Sequence, residues 1–198
     1  MSSNMMIIAT HNEHKAHEIA AIFDENDLGI RVQSLCDIGD GEPIPEEGTT
    51  LEENALSKAR AGYERHGGDV LADDTGLEVL ALDGRPGVYT ARYAGEHCTP
   101  EENVSKLLRE LADEPDRRAT FKTVIALILD GQEYIFSGEV HGVITRERRG
   151  SGGFGYDPVF QPMDLDKTFA ELSEHDKNTI SHRGRAISQL IAFLKERR

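Results

Sequence analysis

The chain has 198 residues, 38% of them hydrophobic, and 36 acidic side chains against 22 Lys and Arg give a formal net charge of -14. That length suits one domain of two lobes with a real core, and so negative a surface, interrupted by no basic stripe, argues against a nucleic-acid polymer as partner. The longest apolar stretch, residues 124–129, is far too short to cross a bilayer, and Met1-Ser2-Ser3-Asn4 lacks the basic start of a signal peptide, so the expectation is a cytoplasmic protein with no membrane partner.

Met5-Met6-Ile7-Ile8-Ala9 reads as a buried strand, followed by the polar loop Thr10-His11-Asn12-Glu13-His14-Lys15 and a helix with Ile19, Ile22 and Phe23 on one face. A helix start with Lys15 beside it is a natural phosphate site, although the loop lacks the glycines of a Walker A motif. His11, His14 and His17 have a three-residue spacing that describes a solvated helix start better than a zinc site. Residues 31–35 form a short strand, and residues 39–47 a Pro-, Gly- and acid-rich loop. Thr50-Leu51-Glu52-Glu53 has the spacing of a capping box, opening a helix that Gly67-Gly68 stops. On it Asn54 and Lys58 are four apart, the pattern of an ordinary exposed pair.

Ala72-Asp73-Asp74-Thr75-Gly76 closes one apolar run and precedes another, Leu77 to Leu82. Two acids at the end of a strand, where the backbone turns, suit Mg²⁺, which takes one or two carboxylates and leaves its other positions to water and phosphate; alone, the motif is also an acidic surface turn. After a break at Gly84, Pro86 and Gly87, Thr99-Pro100-Glu101-Glu102 opens a third helix with proline at its first position. Residues 120–129 and 133–144 are strand-like, and Asp130-Gly131 between them is a hairpin turn. Gly150-Ser151-Gly152-Gly153-Phe154-Gly155-Tyr156-Asp157-Pro158 is a glycine loop whose aromatic faces could hold a base, with Asp157 a candidate for its edge. Ser181-His182-Arg183 opens a last helix with Ala186, Ile187, Leu190 and Leu194 inward. Cys36 and Cys98 are too isolated for a disulfide framework or a zinc knuckle.

Taken in order, these blocks resemble one family, the inosine/xanthosine triphosphate pyrophosphatases of the Ham1 type. The likeness runs from Ile7 through Lys15, Glu46 through Ala59, Ala72 through Leu77 and Gly84 through Tyr93. It resumes at Gly152 through Pro158 and ends with Phe169 through Leu172, Lys177 and Ile180 through Gly184. The resemblance implies an elongated α/β fold, two lobes around a long mixed sheet with flanking helices and a substrate cleft between them, usually as a homodimer. It implies Mg²⁺-dependent attack of water on the α-phosphorus of a non-canonical purine nucleoside triphosphate, releasing the monophosphate and pyrophosphate. By position, the loop Thr10-His11-Asn12-Glu13-His14-Lys15 would bind substrate, with Thr10, Asn12, Lys15 and Lys58 on phosphates. Glu46 and Asp74 would hold the metal, and Asp74, with Asp73 beside it, would take the proton. Thr75 would line the pocket, Phe154 would stack on the base, and Gly155, Tyr156, Asp157, Lys177, Ser181, His182 and Arg183 would complete the nucleoside site.

His11 stands where the family commonly has glycine, Thr75 where it often has serine, and Glu47 where it has threonine, which leaves open whether Glu46 or Glu47 faces the metal. An arginine has only donors to offer, so Arg183, with a protonated His182, would match the 6-keto oxygen of hypoxanthine or xanthine and mismatch adenine. The competing readings are a metal-dependent phosphatase releasing orthophosphate and a nucleotide-binding module without turnover.

Overall fold

A computed structural model describes residues 5–197 as an α/β protein built on a mixed seven-stranded sheet. In chain order the elements are β1 (Met5–Ile8), α1 (Glu13–Glu25), β2 (Arg31–Ser34), α2 (Leu51–His66), β3 (Asp69–Val79), β4 (Pro86–Gly87), α3 (Pro100–Glu110), β5 (Arg118–Leu129), β6 (Gln132–Ile144), β7 (Phe160–Pro162), α4 (Glu174–Ile180) and α5 (His182–Glu196). Strand order is β2-β1-β3-β5-β6-β7, with β4 also on β3; β1 is parallel to β2 and β3, while β4 and β7 pair antiparallel with β3 and β6. Among the described residues, no helix is long and apolar enough to cross a membrane.

The chain forms two compact units. The first comprises residues up to Asp74, Thr123–Gly138 and the chain from Arg183 onward. Here β1 is joined to β2 through α1, and β2 to β3 through α2, with β2 and β3 on opposite sides of β1. Right-handed crossovers running in opposite directions put their helices on opposite faces of the sheet. The packing agrees. Ile19, Ile22 and Phe23 of α1 and Ala186, Ile187, Leu190 and Leu194 of α5 share a core with Met6, Ile8 and Leu71, whereas a side chain at Gly62 of α2 would meet Val70 and Ala9, the residues of opposite parity.

The second unit comprises Thr75–Lys122 and Glu139–His182, with its own core around Leu77, Val79, Leu107, Phe121, Ile144, Phe160 and Phe169. Each fully buried Leu or Phe there adds about 1.5–3 kcal/mol of transfer free energy.

The local signals read from sequence have physical counterparts. Both capping boxes form, Thr50 with Glu53 and Thr99 with Glu102, Pro100 sits in the first turn of α3, and Gly67 caps α2. Asp130 (φ 51°) and Gly131 (φ 76°) both take positive φ, as a two-residue hairpin turn of matching twist requires. One expectation fails: the two acids do not lie at a strand end. β3 runs unbroken from Asp69 to Val79, and Asp73 and Asp74 are buried in its middle. Partners on both faces of the sheet, described next, replace the water that a turn would have supplied.

Candidate active site

Successive side chains on a strand point to opposite faces, and the two acids follow that rule. Asp73 has the parity of Leu71 and meets α1 and α5: Lys15 Nζ lies 3.2 Å from its Oδ2, and Arg183 donates to the same oxygen through Nε and Nη2, both at 3.3 Å. Arg183 also donates from Nη1 to Glu18 of α1. Burial, the largest influence on Asp73, would raise its pKa, but Lys15, Arg183 and Lys58 together outweigh it and hold the carboxyl well below the usual range. Burial in turn lowers the Lys15 ammonium, against the pull of Asp73.

Asp74 has the parity of Val70 and meets α2. Lys58 Nζ donates to its Oδ1 at 3.1 Å and Asn54 Nδ2 to its Oδ2 at 3.1 Å. The same Lys58 ammonium reaches Glu46 Oε1 at 2.7 Å, so one cation gathers two carboxylates. Of the two neighbouring glutamates, Glu46 meets Lys58 and Glu47 is exposed. Burial raises the Asp74 pKa, Lys58 and Lys15 oppose it, and Glu46 adds to the rise. Lys58 would be lowered by burial but is raised on balance by Asp74, Glu46 and Asp73.

Asn54 and Lys58 are therefore not an exposed pair. They lie on the buried face of α2, Asn54 at 0% and Lys58 at 7% exposure. Asn54 also accepts the Gly48 N–H at 2.8 Å through Oδ1, which fixes the end of the loop that carries Glu46. A Cβ at Gly48 would stand 2.6 Å from that Oδ1 and 2.8 Å from Glu53 Cβ. Gly48→Ala should consequently lower stability by about 1–3 kcal/mol, the usual cost of overpacking, as read from the urea unfolding midpoint, and reduce turnover with it.

At the start of α1, the Asn12 side chain caps the helix by accepting the Lys15 N–H at 3.1 Å, and the Asn12 N–H donates to Thr10 Oγ1 at 3.1 Å. This holds an open helix N-terminus of the kind that binds anions. The Thr10 hydroxyl can still donate. His11, Glu13, His14 and His17 are all exposed. Among the described residues, no group of three or more His, Cys, Asp and Glu side chains gathers as a metal cage.

In the second unit the glycine loop is built around Asp157. Its Oδ2 accepts the Phe154 N–H at 2.8 Å and the Lys177 ammonium at 2.6 Å, and a Cβ on Gly153 (φ 65°) would fall 2.1 Å from that oxygen. Lys177 Nζ lies 4.9 Å from the centroid of the half-buried Phe154 ring. Asp157 and Lys177 are each other's buried partners, so Asp157 shapes the loop more directly than it could read a base edge. Gly155 takes φ 61°, and half-buried Thr75 begins this unit. Tyr156 faces inward, donating to the Thr90 carbonyl at 2.9 Å, with its phenol pushed up by burial. The His182 ring stacks on Phe121, centroids 4.4 Å apart at 8°, and Ser181 beside it is buried.

Three contributors escaped the sequence reading of the site: Glu18, Asn54 and Phe121. Glu18 had a visible signal, an acid next to Ile19 on the apolar face of α1; Phe121 had none, being one apolar residue among many in β5. The sequence reading assigned Arg183 to a keto oxygen; in the structure its side chain is 2% exposed and donates to Asp73 and Glu18.

Comparison with known proteins shows what the whole chain is similar to. The Ham1 family model matches residues 6–193. A dITP/XTP pyrophosphatase of Flavobacterium johnsoniae is 49% identical over 189 residues, covering 96% of this chain and 97% of that protein. Among solved structures, the Ham1 protein of Staphylococcus aureus superposes with a TM-score of 0.86 at 42% identity, covering 98% of this chain and all of that one. A HAM1 protein from Coxiella burnetii gives 0.87 at 40%, covering 99% and 100%.

Proposed function

The chain belongs to the Ham1 family, and on that footing we propose that it hydrolyses non-canonical purine nucleoside triphosphates (dITP, ITP and XTP) to the monophosphate and pyrophosphate with Mg²⁺. The observation that carries the reading is Lys58 holding Glu46 at 2.7 Å and Asp74 at 3.1 Å, a paired-carboxylate donor set of the kind Mg²⁺ uses when substrate phosphates fill its other positions. When bound there, Mg²⁺ supplies neutralisation of the charge on the phosphate oxygens.

Asp74 accepts a proton from the attacking water, whose oxygen bonds to the α-phosphorus as the bond to the bridging oxygen breaks and pyrophosphate leaves. Burial, by raising its pKa, makes Asp74 a better proton acceptor than an exposed carboxylate. Lys58, Lys15 and the N-terminus of α1 offset the phosphate charge, and Asp73 aims Lys15 rather than serving as a second base. Phe154 stacks on the base.

Phe154→Ala should raise KM for every nucleoside triphosphate alike, by roughly 5- to 150-fold, because base–aromatic stacking is worth about 1–3 kcal/mol and tolerates any base. A panel of nucleoside triphosphates with Mg²⁺, scored for pyrophosphate and orthophosphate, tests the whole reading. Pyrophosphate from ITP, dITP and XTP, with ATP and GTP much slower, is the expected result; orthophosphate as the sole product would point instead to a phosphatase.

A further inference from the structure

Residues 41–48, which carry Glu46, belong to no helix or strand. Fixing a backbone costs about 1–2 kcal/mol per residue, so a segment without its own ladder needs outside partners to present a side chain reproducibly. Gly48 is held by Asn54 at one end, as described above. At the other end stands Asp40.

Asp40 uses nearly every polar atom it has. Its Oδ1 accepts the Glu42 N–H at 2.8 Å, and its Oδ2 accepts His66 Nε2 at 2.7 Å and Arg65 Nη1 at 3.4 Å, both from the last turn of α2. Its N–H donates to the Leu35 carbonyl at 2.9 Å. Arg65 goes on to the carbonyls of Glu42 at 2.9 Å and Pro43 at 3.1 Å, extending the anchorage toward Glu46. The Asp40 carbonyl, finally, lies 2.9 Å from His11 Nε2, in the loop that opens α1. A carbonyl can only accept, so that nitrogen carries the proton and the contact fixes the tautomer of His11. The carboxylate is only 10% exposed, and His66, with the Glu42 N–H next, lowers its pKa to about 2.

We propose that Asp40 and His11 are positioning residues forming a clamp, through which the phosphate-binding start of α1 and the C-terminal end of α2 together set the place of Glu46. The inference rests on Glu46 being an ion ligand, as proposed above. His11 then acts through the loop it grips and not through a phosphate it touches, a role that its bulk permits and a glycine could not fill. Neither residue is catalytic in the sense of meeting the reacting atoms.

The test uses the full chain without nucleotide. Amide hydrogen exchange is measured over residues 42–48, and Mn²⁺ is titrated as the probe ion by electron paramagnetic resonance, for the parent, Asp40→Asn, His11→Ala and His11→Gln. One hydrogen bond is worth about 1 kcal/mol and a charged one about 1.5–3, so exchange should quicken roughly 5-fold in His11→Ala and 10- to 100-fold in Asp40→Asn. Mn²⁺ affinity should fall in the same order, and His11→Gln, which keeps a donor at a similar reach, should recover most of both. A residue that touches only phosphate would leave the nucleotide-free ion affinity unmoved. Unchanged exchange in both variants overturns the clamp, and so does faster exchange with parental Mn²⁺ affinity. A parent that binds no Mn²⁺ refutes the ligand role of Glu46 instead, and the exchange rates still decide whether the clamp exists. His11→Ala changes an exposed side chain, which keeps the test open if Asp40→Asn fails to fold.

Discussion

Asp74→Asn is expected to lower kcat by about 100-fold or more while leaving the fold intact. The substitution preserves shape but removes a proton acceptor and half of the paired carboxylates around Lys58. General-base contributions are about 10²–10⁴-fold, and the ligand role works in the same direction. Stability should fall as well, because the buried Lys58 ammonium loses one of the two carboxylates that compensate it and keeps Glu46, while relief of the burial that works against ionised Asp74 offsets part of the loss. Single-turnover pyrophosphate release with saturating Mg²⁺, alongside a thermal melt, measures both halves. An Asp74→Asn protein with parental turnover would mean that the base lies elsewhere.

The second large effect is on stability and belongs to Arg183→Ala. That change takes a buried cation away from two carboxylates, Asp73 with 0% and Glu18 with 8% of the side chain exposed, while Lys15 stays paired with Asp73. Removing one partner of a buried ion pair costs about 3–5 kcal/mol, a large part of the roughly 5–15 kcal/mol that holds a domain folded. Urea unfolding at neutral pH reads the loss directly. Kinetics read the role: an arginine that fixes Asp73 and, through it, Lys15 serves every triphosphate, so kcat/KM should fall by the same factor for ITP and ATP. A ratio that narrows would return Arg183 to base reading, the role its sequence position had suggested.

Those two residues also show what was legible before the fold. Signals that act within a few residues came through: the caps at Thr50 and Thr99, the stop at Gly67, the Asp130-Gly131 turn and the inward stripe of α5. So did the family, carried by ordered blocks of residue types at fixed places and matched over residues 6–193. Statements about partners far along the chain did not. Asp73 is separated from Arg183 by 110 positions and Glu18 from Arg183 by 165, so an acid in mid-strand looked like a turn and a helix-start arginine looked free. Short elements without a period of their own, β7 and α4, left no mark either.

The opposed orientation of Asp73 and Asp74 makes the spacing of β3 a form of information that no single side chain carries. Inserting or deleting one residue between Asp69 and Asp74 reverses odd and even along the strand and would deliver each acid to the other's set of cations. Both carboxylates would survive such a frameshift in the pleat, and every substitution-based comparison would score the residues as present. Length variation in this protein's relatives should therefore be absent from the first half of β3 and tolerated at the Asp27–Gly29 turn, where positive-φ residues already absorb irregular backbone.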